Sequence, residues 1–145
     1  MNGTTHALVG ALVGTLVGRP GAALLAGVAS HAVLDVIPHR DDLEGSTLIL
    51  DGCGALAVLA CTLLLGRAGA TDGVLGGVLP DLENIPDIIQ GPQRAGNGQK
   101  VFPSHWWEHE SVTGRHGNRI QACVAAAAAI GLAVVFLSNG TARSD

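Results

Sequence analysis

The sequence predicts an all-α fold: a small integral membrane bundle of about four to five helices within a single domain, 1–145. Three observations point there. The apolar runs are too long for strands and are built largely from Ala and Leu, both strong helix formers. Hydrophobic residues make up 48% of the chain and charged residues only 14%, against about 25% charge in ordinary soluble domains. Aromatics are 3%, with no Tyr, whereas Gly occurs 21 times. That is thin material for a water-soluble core, but small residues let helix backbones approach closely in lipid.

The elements follow in order. Residues 4–18 form a first apolar segment, closed by Arg19-Pro20. No Lys or Arg precedes His6, so the positive n-region of a signal peptide is missing and the segment reads as a retained helix. Residues 21–37 form the second, ended by Pro38. Residues 46–65 form the third, interrupted only by Asp51, and make the best spanning candidate. Residues 71–79 are short and Gly-rich, and run into LPDLENIPD, where Pro80 and Pro86 stop any long helix. A polar loop at about 90–119 leads to a last apolar segment, 120–137. The first and fourth segments are too short to cross a ~30 Å hydrocarbon core unaided; they suit half-helices buried in a bundle, helices extended by polar turns, or a thinned bilayer.

The net charge of −4, without a basic run, excludes a nucleic-acid footprint. Cys53, Cys61 and Cys123 form no CxxC pair and read as small core residues. If the segments alternate in direction, all six histidines and ten of the twelve acids fall on one side. Five Lys/Arg lie there against three opposite, which sets that side weakly in the cytoplasm. A one-sided cluster of acids and imidazoles suggests a cation site.

Three motifs carry the ligands. SHAVLDVIPHRDD places His31, Asp35 and His39 at four-residue intervals, so they share one helix face up to the break at Pro38. His31 and Asp35 reach one metal, or Asp35 orients His31. Ionisable groups in so apolar a segment are costly and point to function. LPDLENIPD offers Asp81 as a ligand or general base, with Glu83 and Asp87 behind it; the plain alternative is an acidic helix end. SHWWEHE sets His105 and His109 four apart, as in zinc-binding helices. His6 joins by convergence, and Asp51 is a ligand or supports one. Asp41 and Asp42 read as a solvated turn and His116 as a loop residue.

Taken together, Thr5-His6, the stretch 31–41, the stretch 77–81, the pair His105 and His109, and a final apolar helix resemble the YdjM/DUF457 group of bacterial inner-membrane, metal-dependent hydrolases. The resemblance implies an enzyme in the cytoplasmic membrane. The residues themselves suggest one or two divalent ions, zinc first by ligand type and Mn or Fe where carboxylates dominate. Metal ligands are then drawn from His6, His31, Asp35, His39, Asp51, Asp81, His105 and His109, and Asp35 or Asp81 takes the proton. The expected partners are membrane lipid and an amphiphilic or lipid-linked ester or phosphoester. The alternatives are a metal-binding membrane protein without chemistry and a small structural membrane subunit.

Overall fold

The computed structural model describes residues 1–39, 45–85, 100–106 and 115–141. Asp41, Asp42, Asp87 and His109 lie outside the described residues. Among those described there are five α-helices and no strand: α1 (Gly3–Val17), α2 (Pro20–Val36), α3 (Ser46–Leu64), α4 (Ala68–Val78) and α5 (Arg115–Thr141). Two 3-10 helices, Leu79–Asn84 and Pro103–His105, carry the chain at the end of the bundle where the site lies.

Local chemistry sets the helix ends. The Asn2 side chain caps α1 by accepting from the Thr5 N–H at 3.0 Å. Gly18, at φ 71°, closes α1 by donating its N–H to the Gly14 carbonyl at 2.9 Å. Pro20 opens α2, where a missing N–H costs nothing. The chain turns extended at Ile37, ahead of Pro38, and α2 stops. Pro80 likewise ends α4, which passes into the 3-10 helix.

α4 is the centre of the bundle. It is only 11 residues long, yet Ala70, Thr71, Gly73, Val74, Gly76 and Gly77 are all buried. It lies between α1 and α2 at backbone contact. A Cβ at Gly73 would sit 2.0 Å from the Gly10 carbonyl oxygen of α1, and one at Gly76 would sit 2.1 Å from the Leu24 carbonyl oxygen of α2. No larger residue fits either place, so the repeated glycines of the fourth segment set how near the helices come. The adjoining core is small: Ala7, Ala11, Ala70, Val74 and Leu132, with Leu8, Leu12, Val58 and Phe136 packed against it.

α3 and α5 are built oppositely. Thr62 is the only buried residue of α3, and Ile49, Leu56, Leu63 and Leu64 stand exposed along it. On α5, Ile130, Val134 and Leu137 are exposed. Both helices are, by length and composition, long and apolar enough to cross a membrane.

Three sequence readings change here. The last helix begins at Arg115 rather than at 120, which places His116 on its exposed first turn and not in a loop. The fourth helix begins at Ala68. Cys53, Cys61 and Cys123 are exposed free thiols, because they fall on the outward faces of α3 and α5.

Candidate metal centre

His6 of α1, His31 and Asp35 of α2, Asp81 of the first 3-10 helix and His105 of the second meet at one end of the bundle. Two overlapping sets have donor atoms mutually close enough to hold one ion: His6, His31 and Asp35, all buried, and His31, Asp81 and His105, half-open.

The orientation of each imidazole follows from its neighbours. His31 Nδ1 lies 2.8 Å from the Gly77 carbonyl of α4; a carbonyl only accepts, so Nδ1 donates and Nε2 is left with its lone pair. His105 Nδ1 donates to Glu83 Oε1 at 2.5 Å, which leaves its Nε2 in the same state. These two Nε2 atoms face each other at 3.3 Å. Asp35 Oδ2 is 2.8 Å from His31 Nε2 and 3.6 Å from His105 Nε2. Asp81 Oδ1 is 3.9 and 3.8 Å from the same two nitrogens. Lone pairs and carboxylate oxygens pointed at one place repel unless positive charge, a proton or a metal ion, stands between them. A four-coordinate ion with ligands at ~2.0–2.1 Å holds its donor atoms about 3.3 Å apart, close to these separations. The donor set therefore fits a divalent ion, and the backbone and carboxylate partners on the two Nδ1 atoms are the usual supports of metal-binding histidines.

His6 makes the same case differently. It is wholly buried, and neither ring nitrogen has a hydrogen-bond partner among the described residues. Its Nε2 lies 3.2 Å from Asp35 Oδ1 without hydrogen-bond geometry, and its ring stacks on His31 with centroids 3.9 Å apart. A buried imidazole left unsatisfied is costly, and such groups call for an ion or water in their place.

Glu83 is the residue that sequence reasoning undervalued. Its Oε1 accepts from His105 Nδ1–H, while Oε2 accepts from the Val101 N–H at 2.6 Å and the Phe102 N–H at 3.3 Å. Lys100 adds a bond to Asn84 Oδ1 at 2.8 Å, so the segment 100–106 is stitched to the first 3-10 helix and His105 is delivered to the site. Partial burial raises the Glu83 carboxyl, but the Val101 N–H, His105 and the Phe102 N–H outweigh it and hold the group below its ordinary value. The pKa of His105 is raised, by Asp35 foremost and by Glu83 and Asp81, against desolvation.

Two expected ligands have other partners. Asp51 belongs to neither set: it caps α1 across the bundle, accepting from the Gly3 N–H at 2.8 Å and the Thr4 N–H at 2.9 Å. Unpaired N–H groups and the positive end of the helix dipole hold a carboxylate there. His39 is buried, but the chain has left the helix before it, so the four-residue register is lost. Its Nδ1 donates to the Ile37 carbonyl at 2.6 Å and its Nε2 meets the Met1 amino group, itself 3.0 Å from Asp35 Oδ1.

A cavity of about 430 Å³ opens beside the cluster. Asp35, His39, Asp51, Asp81 and His105 line it together with the apolar Leu48, Ala55, Val78, Leu82 and Ile85.

Fold and site together define, among the described residues, an all-helical bundle with a buried histidine–carboxylate cluster able to hold a metal ion. The chain matches no known protein family, and no characterised protein or solved structure matches it.

Proposed function

We propose that the protein is an integral membrane, metal-dependent hydrolase that cleaves an ester or phosphoester of an amphiphilic or lipid-linked substrate. One observation carries the reading: the convergence of His31, His105, Asp35 and Asp81, three of which line a cavity that apolar side chains also line. The apolar outer faces of α3 and α5 support placement in a bilayer.

A bound divalent ion, zinc by donor type, would acidify water and polarise the scissile carbonyl or phosphoryl oxygen. The protein's own residues divide the remaining tasks. His31 and His105 have Nδ1 committed to Gly77 and Glu83, and so present Nε2 only. Asp35, almost fully buried, has both oxygens in the cluster. Asp81 is the most open of the four and stands on the cavity wall, which makes it the general base. It takes one proton from the attacking water. The water oxygen bonds to carbon or phosphorus, the bond to the leaving oxygen breaks, and the proton passes to the departing alcohol. The apolar wall receives the tail of the substrate.

The test is metal content and hydrolysis measured on the same detergent-purified protein. Wild type should hold a stoichiometric divalent ion and cleave a long-chain phosphoester or carboxylic ester. Asp81→Asn should keep most of the metal and lose hydrolysis by roughly 10²–10⁴-fold. Wild type that binds neither zinc nor manganese would sink the proposal.

A further inference from the structure

We infer that the centre is built for two cations bridged by Asp35, with His6 as a terminal ligand of the second. This rests on the metal-dependent reading above and goes beyond it in assigning His6 and the number of ions. The two oxygens of Asp35 face different imidazoles: Oδ2 lies 2.8 Å from His31 Nε2, and Oδ1 lies 3.2 Å from His6 Nε2. The His6 and His31 rings are stacked, 23° from parallel, with centroids 3.9 Å apart. An imidazole binds a metal in its ring plane, so two stacked rings direct two ions to positions separated by about the stacking distance. Carboxylate-bridged pairs in two-metal hydrolytic sites stand ~3.5–4 Å apart, the same spacing.

One ion does not satisfy all the donors. Held by His31, His105 and Asp35 Oδ2, with its fourth position left for water, it is complete, and His6 remains buried with neither ring nitrogen hydrogen-bonded among the described residues. Asp35 Oδ1 accepts a hydrogen bond from the Met1 amino group at 3.0 Å, a contact that the second ion would replace. Two divalent ions exceed the charge of Asp35 and Asp81 by two, an excess that an anionic phosphoryl group held by both would offset.

The experiment loads the full-length protein in detergent with Mn(II), removes excess by dialysis, and measures manganese per chain together with the electron paramagnetic resonance spectrum. The comparison variant is His6→Phe, which keeps a ring against His31 and removes both nitrogens. The expected result is about two ions per wild-type chain with an exchange-coupled spectrum, falling to about one ion and an uncoupled six-line spectrum in the variant. A wild type with one ion and a six-line spectrum overturns the bridged pair and leaves the hydrolase reading standing; so does a variant that still holds a coupled pair. A wild type with no ion removes both. The wild-type spectrum decides the bridged pair by itself if His6→Phe does not fold.

Discussion

The inner helices α1, α2 and α4 and the outer helices α3 and α5 all expose large apolar residues, Leu16, Leu25 and Val33 among the inner ones, but differ in what they bury. The inner three put glycine and alanine at their contacts and bury His6, His31 and Asp35 among them. The outer two bury little and turn Leu, Ile and Val outward. A water-soluble protein is built the other way, with polar groups outside and large apolar groups within. The inversion fits a surrounding of lipid: there, close backbone packing holds helices together, and a polar cluster persists only where its members satisfy one another or a bound ion.

The sharpest way to break this comparison is to place a side chain at an inner contact. Gly73→Val forces heavy atoms into the Gly10 carbonyl and should cost roughly 3 kcal/mol or more. The expected outcome is loss of the monodisperse species in detergent size-exclusion chromatography. A Gly73→Val protein that elutes normally would mean that α1 and α4 are not in backbone contact.

Removing a ligand comes next. His31→Ala leaves Asp35 without its 2.8 Å partner and should abolish metal binding in elemental analysis, with a fall in thermal stability. Glu83→Gln acts one step removed: losing the charge behind His105 should weaken zinc affinity about 10–100-fold in a chelator competition while leaving the helical content unchanged.

The pH response sharpens the site further. The folded-state value of His105 is raised above the ordinary 6.5, so its ion pairing stabilises the metal-free chain fully below about that pH and is lost as pH rises through the raised value. Metal binding needs the neutral ring and runs the other way. The melting temperature of metal-free protein should therefore fall from pH 6 to pH 8 while zinc occupancy rises, and His105→Gln should flatten the first trend. Glu83, held low, keeps its contribution above its ordinary value of 4.5 and loses it only as pH falls through its folded-state value.

The smallest effects belong to the outer surface. Cys53, Cys61 and Cys123 are exposed on α3 and α5, yet a membrane-impermeant maleimide should label them slowly in intact membranes and readily after denaturation. Rapid labelling in intact vesicles would place those faces in water. Gly21→Ala, on α2 where nothing lies within 4 Å of the new Cβ, should be neutral or stabilise by about 0.5–1 kcal/mol.

The sequence by itself determined the helices and most of the donors. Apolar run length and the stops at Pro20, Pro38 and Pro80 mark the elements, because a helix needs only local hydrogen bonds and proline ends it locally. The four-residue spacing of His31 and Asp35 is likewise local, and the pair meets. Tertiary structure alone decided which donors share a centre. In sequence Asp51 reads as a ligand or the support of one; α3 brings it to the N–H groups of Gly3 and Thr4 at the start of α1, a meeting across 48 residues that no local pattern encodes. Glu83 looked like loop charge until the segment 100–106 folded back to its carboxylate. His39 kept the right spacing in sequence but lost the register at Ile37, where the backbone turns extended. The two oxygens of Asp35 acquire separate partners only because glycines let α4 draw α1 and α2 together, and with them the stacked rings of His6 and His31.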